Sequence, residues 1–291
     1  MTPETYTKRD QLKTFIEREL APHAAVKGVI GIGSIATGNA RADSDIDAVV
    51  FLDPFDFYIV PAECIWRPSD ASYHSIFSSV EGWQLDFARF DLAQWSRPDF
   101  DWPEGLRAEL AAGWLAFDRT GQVAQLIGER TAYSDELRIS RLDEAITWLD
   151  QHLSDDTPEH VWEQLGPIIA HDRLSAAYHY MAQALFAYNR RWRIWRNREI
   201  EALLALPWLP DAFAESIVLV LTAPSLDHDG YMARVETLSM FFADLLEQIV
   251  ADGSYTADPI SEAFIRRSAE PGRAWNMDEW NERHREAGVR G

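Results

Sequence analysis

Two apolar runs bracket a short small-residue turn and a pair of aspartates, and this arrangement constrains the fold more than any other stretch of the chain. The runs are Val29-Ile30-Gly31-Ile32 and Ile46-Asp47-Ala48-Val49-Val50-Phe51-Leu52. Both read as buried strands, because β-branched and aliphatic residues dominate segments of strand length. Between them lie Gly33-Ser34-Ile35-Ala36-Thr37-Gly38 and then Asn39-Ala40-Arg41-Ala42-Asp43-Ser44-Asp45. Successive strand side chains point to opposite faces. Asp45 and Asp47 therefore share one face, about 7 Å apart along the backbone, while Ile46 and Ala48 share the other. Two carboxylates on one face of an otherwise apolar strand repel each other and lose solvation. A divalent cation between them removes both penalties. Hard oxygen ligands favour Mg2+, which keeps waters and takes phosphate oxygens as further ligands.

The turn supplies a complementary group. Gly33 and Ser34, directly after a strand, can place backbone N–H groups and a hydroxyl around a phosphate. A short helix starting at Ser34 adds a favourable partial charge. The plain alternative is a βαβ turn followed by a strand with two solvated acids.

The segment resembles the signature of the DNA polymerase β-type nucleotidyltransferase superfamily: an apolar residue, Gly-Gly/Ser, a loop, then Asp-apolar-Asp/Glu. Read in full from Gly33 to Asp47, it is closest to the small-molecule branch. That branch includes aminoglycoside nucleotidyltransferases and the minimal nucleotidyltransferases of toxin–antitoxin pairs. The resemblance implies that Gly33 and Ser34 contact a nucleoside triphosphate, ATP by default, and that Asp45 and Asp47 hold catalytic Mg2+ ions, two in number. Thr37 departs from the minimal enzymes, which often carry arginine there. Arg41 is then the nearest basic candidate for the phosphates, and Ser44 is counted with it among the nucleotide-binding residues.

Such enzymes usually carry a third carboxylate on a neighbouring strand. The candidate segment here is Gly82-Trp83-Gln84-Leu85-Asp86-Phe87-Ala88-Arg89-Phe90-Asp91. Leu85 and Phe87 fall on one face, and Gln84, Asp86, Ala88 and Phe90 on the other. Asp86 reads as an acid buried among apolar neighbours and is the expected third metal ligand, proton acceptor, or both. Asp91 is the fallback, with helix capping as its ordinary role. The turn over 79–82 predicts a hairpin between residues 73–78 and 83–90.

The net charge is −20, from 27 basic and 47 acidic residues. Proteins that bind polynucleotides present basic surfaces, because phosphate contacts dominate their affinity. The composition argues against extended nucleic acid as substrate and suits a cationic small molecule. The single cysteine, Cys64, cannot form an internal disulfide. No apolar run approaches the ~18 residues needed to cross a membrane, and the first residues do not resemble a signal peptide. The expected compartment is the cytoplasm.

The expected fold is α/β, with an N-terminal nucleotidyltransferase domain over residues 1–133 whose mixed sheet is flanked by helices. An all-α helical bundle is expected over 134–251, and a polar C-terminal tail over 252–291. A helix is expected over 4–20, an edge strand or break at 57–60, a strand over 113–118, and helices over 103–112 and 121–130. The bundle is predicted to hold helices over 137–153, 167–191, 199–206, 211–221 and 231–251. Asn276 and Glu279 resemble a capping box for a short helix in the tail.

Two further patterns stand out. Residues 188–199 are basic in an acidic chain, with Trp192 and Trp195 between arginines. They suit either phosphate and base contacts or surface ion pairs with buried tryptophans. His171, Ser175, His179 and Gln183 form a polar stripe at helical spacing. Arg173 and His179 also fit, loosely, an Arg–His pattern of HEPN ribonucleases. The expected activity is transfer of a nucleoside monophosphate, AMP from ATP, to the hydroxyl of a small molecule, with aminoglycosides the first class to consider. The alternative is a toxin–antitoxin type enzyme that modifies a protein or RNA partner.

Overall fold

Strands β1 (Val26–Gly31) and β2 (Ile46–Leu52) pair antiparallel, with Gly31 opposite Ala48. They are the two apolar runs of the motif, and they lie side by side in a mixed six-stranded sheet in a computed structural model that describes residues 1–268. The other strands are β3 (Glu63–Arg67), β4 (Ser72–His74), β5 (Trp83–Asp91) and β6 (Trp114–Asp118). The order across the sheet is β4-β3-β5-β2-β1-β6. β2 and β5 run parallel; the other neighbours are antiparallel. The chain divides into two units, residues 1–132 with 192–195, and residues 133–191 with 196–291.

In the first unit the sheet is covered on both faces. Helix α1 (Pro3–Phe15) is capped by Thr2, whose side chain accepts from Thr5 N, and ends in a π turn, Ile16–Leu20. Leu12, Phe15, Ile16 and Leu20 join Ile46, Ala48, Val50, Trp66, Leu85 and Phe87 in one core. The opposite face buries Ile30, Val49 and Phe51 with Leu92, Trp102, Leu110 and Val123. Those residues come from or adjoin helices α3 (Leu92–Trp95), α4 (Glu104–Ala111) and α5 (Gln122–Thr131). Alternation along β2 thus feeds two cores, which is why the whole strand reads as apolar.

The hairpin expected between 73–78 and 83–90 does not form. β4 pairs with β3 instead, with Trp66 opposite Tyr73, and β5 pairs with the other edge of β3, with Trp66 opposite Trp83. Burial of Cys64 and Trp66 places β3 between them. That strand is absent from the sequence reading because only two of its five residues point inward. Residues 57–60 form no strand.

The second unit is helical: α6 (Asp135–Leu153), α7 (Thr157–Leu165), α8 (Pro167–Tyr188), α9 (Glu199–Leu204), α10 (Phe213–Thr222), α11 (His228–Ala251) and α12 (Pro259–Ser268). Leu174, Tyr178, Met181 and Leu185 of α8 lie in its core, at the spacing that marks a buried helix face. The stretch after residue 251 is more than a polar tail. Ala263 of α12 is fully buried, and Tyr255 and Arg266 both bond the buried Asp143 of α6, at 2.7 and 2.8 Å. The capping box at Asn276 and Glu279 lies outside the described residues.

Candidate active site

The turn after β1 is a one-turn helix, α2 (Gly33–Thr37). Gly33 adopts φ +59°, a left-handed conformation that side chains disfavour. A Cβ there would fall 2.6 Å from Oδ2 of Asp47. Glycine therefore lets the Asp47 carboxylate close onto the turn. Ile32 N donates to Asp47 O at 3.0 Å and ties the end of β1 to the start of β2. The Ser34 Oγ is buried and has no hydrogen-bond partner among the described residues. An orphaned buried hydroxyl carries a penalty that a ligand can remove.

Asp47 and Asp86 are direct partners in the parallel β2–β5 register. Side chains opposite each other in a sheet share a face, with Cβ atoms about 5 Å apart. Asp45 lies immediately before β2, half-buried like Asp47. Burial and the charge of Asp45 together raise the pKa of Asp86 above the ordinary carboxyl value. Asp86 is nevertheless exposed, a correction to its reading as a buried acid. Leu85 and Phe87 point into the core, and the pleat sends Asp86 the other way. Its face continues into Val49, Phe51, Ala88 and Phe90, so the acids occupy one end of a sheet face whose remainder is packed.

Glu63 of β3 stands opposite Asp86 on its other side. Asp47, Asp86 and Glu63 thus form a row across three adjacent strands. Sequence reasoning missed Glu63 because it missed β3. Among the described residues no three His, Cys, Asp or Glu side chains are grouped to hold a metal ion by themselves. The donor set fits a cation that takes one or two carboxylates from the protein and its other oxygens from phosphate and water, the habit of Mg2+.

Arg41 and Ser44 sit on the loop between α2 and β2. Arg41 is largely exposed and its Nε bonds Asp43 at 3.2 Å, while Arg41 N donates to Ser44 Oγ at 3.0 Å. Both are engaged within the loop. Asp91 caps α3, accepting from Ala93 N at 3.0 Å, its ordinary role.

Several residues of the basic stretch over 188–199 have partners within the protein. Arg190 pairs with Asp135 and Arg196 bonds His179 at 2.9 Å. Trp192 Nε1 donates to Thr131 O at 2.7 Å, and Trp195 lies against Gly105, where a Cβ would collide with its ring. The polar stripe of α8 is also committed. His171 bonds Leu226 O at 3.1 Å, and Gln183 donates to Glu144 at 2.9 Å. Arg173 donates to His152 Nδ1 at 3.2 Å, so it and His179 have separate partners.

Residues 9–88 match the family described as "Nucleotidyltransferase domain". The match spans β1, α2, β2, β3, β4 and most of β5, and so includes Gly33, Ser34, Asp45, Asp47 and Asp86. A crystal structure of a nucleotidyltransferase-like protein from Exiguobacterium sibiricum 255-15 is similar over 93% of this chain and 83% of its own, at 13% identity and a TM-score of 0.44. No curated protein matches the chain.

Proposed function

We propose that this chain, which carries a nucleotidyltransferase domain over residues 9–88, transfers AMP from ATP to a hydroxyl of a small molecule. The observation that carries this reading is the register of Asp47 and Asp86 beside the Gly33–Ser34 turn. Asp45, Asp47 and Asp86 would hold Mg2+, two ions in all. When bound, Mg2+ supplies Lewis-acid polarisation of the phosphates and lowers the pKa of an attacking hydroxyl.

The chain's own residues do the rest. The Ser34 hydroxyl and the backbone N–H groups at Gly33 and Ser34 donate to phosphate oxygens. The acceptor oxygen bonds to the α-phosphorus as the bond to the leaving pyrophosphate breaks. Asp86 accepts the proton released from the acceptor hydroxyl. The acid row continues through Glu63, and the chain carries net charge −20. Both favour a cationic, hydroxyl-rich acceptor, with aminoglycosides the first class to try.

The test is pyrophosphate release from each nucleoside triphosphate with Mg2+ across a hydroxyl-bearing compound library. Release that depends on a small cationic acceptor is expected. Clean labelling of a protein or an RNA, with no small acceptor used, would replace this reading with the partner-modifying alternative.

A further inference from the structure

We propose that Arg9 is a positioning residue of the nucleotide site: it holds α2, and with it Gly33 and Ser34, where the triphosphate binds. The inference rests on the nucleotidyltransferase reading above. Arg9 lies on α1, and its Nε donates to Ile35 O at 2.8 Å while Nη2 donates to Ala36 O at 3.1 Å. These carbonyls belong to the last turn of α2, where a helix so short offers them no internal partner. The planar guanidinium matches two neighbouring acceptors at once, which a lysine ammonium does not.

Arg9 is itself held in place. Its guanidinium lies 4.7 Å from the centroid of the Trp114 ring. Trp114 pairs with Gly31 at the end of β1, so close that a Cβ on Gly31 would come within 3.0 Å of the ring. Arg9 has no carboxylate partner among the described residues, in a chain of net charge −20. Its donors are directed to the backbone behind the turn.

The neighbouring residues pin the rest of that loop. Thr2 N donates to Gly38 O at 2.9 Å, Thr2 Oγ1 donates to Ala40 O at 2.7 Å, and Ala40 N donates to Thr5 Oγ1 at 3.1 Å. The start of α1 therefore fixes the stretch from Ile35 to Ala40 from behind. The same short helix carries the buried, unpartnered Ser34 Oγ and the Gly33 position against which Asp47 closes. A shift of α2 displaces both groups together, and a misplacement of about 1 Å can lower a rate by about 100-fold.

Arg9→Met and Arg9→Lys test this. Methionine keeps an apolar stem over Trp114 and removes both donors; lysine keeps the charge and part of the bonding. The readouts are calorimetric affinity for a non-hydrolysable ATP analogue with Mg2+, amide hydrogen exchange over residues 33–40 in the free protein, and Tm. Arg9→Met is expected to weaken the analogue about tenfold, the effect of losing roughly 1.4 kcal/mol. It is also expected to speed exchange over 33–40 while leaving other sheet amides protected. Arg9→Lys falls between it and wild type. A folded Arg9→Met protein with wild-type affinity, or with exchange raised equally throughout residues 1–132, overturns the proposal. If wild type itself binds no nucleoside triphosphate, the nucleotidyltransferase reading fails and this inference with it. Wild-type binding that Arg9→Met leaves unchanged sinks the inference alone.

Discussion

Asp47 of β2 and Asp86 of β5 stand directly opposite each other across the parallel pair that joins the two halves of the sheet. Like charges in that relationship destabilise a sheet. Burial, and after it the charge of nearby Asp45, raises the pKa of Asp86. Burial and like charge together disfavour the ionised form of Asp86 in the free protein.

Asp45→Asn and Asp47→Asn are expected to abolish nucleotide transfer while leaving Tm unchanged or raised in metal-free buffer. Removing one charge from a repelling set relieves the free state and removes a cation ligand. Near-wild-type transfer by either variant in Mg2+ would overturn the metal assignment.

Asp86→Ala is expected to lose at least about 100-fold in turnover, with ATP binding weakened far less. Asp91→Ala behaves oppositely. It loses an N-cap bond to Ala93, should lower stability by about 1 kcal/mol, and should keep its turnover. An exchange of these two phenotypes would show that Asp91, not Asp86, serves the reaction.

Asp86 also predicts a pH effect on the metal-free protein. Its folded pKa lies above the unfolded value of about 3.9. The contribution of this group is therefore most favourable below the unfolded pKa and is lost as pH rises through the folded one. Asp86→Asn should melt above wild type at pH 7, and the difference should shrink in acid. Thermal melts in chelator from pH 3.5 to 7 measure it; a difference that grows in acid would contradict the shift.

Gly33→Ala places a Cβ 2.6 Å from Asp47 Oδ2 at φ +59°. The left-handed backbone alone costs about 1–2 kcal/mol. Weakened binding of an ATP analogue, together with a lower Tm, is expected. A variant equal to wild type in both would mean that the turn relaxes freely and that its fit to Asp47 is unimportant.

Asp143→Ala tests the helical unit. Asp143 is buried and accepts from Arg266 and Tyr255. Removing it strands the Tyr255 hydroxyl and leaves Arg266 to Glu262 and solvent, and a loss of about 3 kcal/mol is expected by denaturant unfolding, near the lower end for a broken buried pair because Arg266 keeps that second partner and is partly exposed. A loss below about 1 kcal/mol would mean that α12 adds little to the unit.

The sequence by itself determined the local units. Apolar strand runs, a glycine-serine turn between them and the spacing of Asp45 and Asp47 are properties of neighbouring residues, and each is where the pattern placed it. The long helices of the second unit were legible for the same reason, since Leu174, Tyr178, Met181 and Leu185 repeat along one face of α8; α7 and α12, shorter and docked by contacts distant in sequence, were not. Pairing was not legible. Whether β5 lies beside β2 or beside β4 depends on contacts far apart in the chain, and nothing in the local pattern of 73–90 separates the two. Only the tertiary structure set Asp86 against Asp47, brought Glu63 to the same row and sent Arg9 behind the turn to Ile35 and Ala36. Each of those relationships is a bond or register between residues that the backbone must first bring together, so packing decides it and local pattern does not.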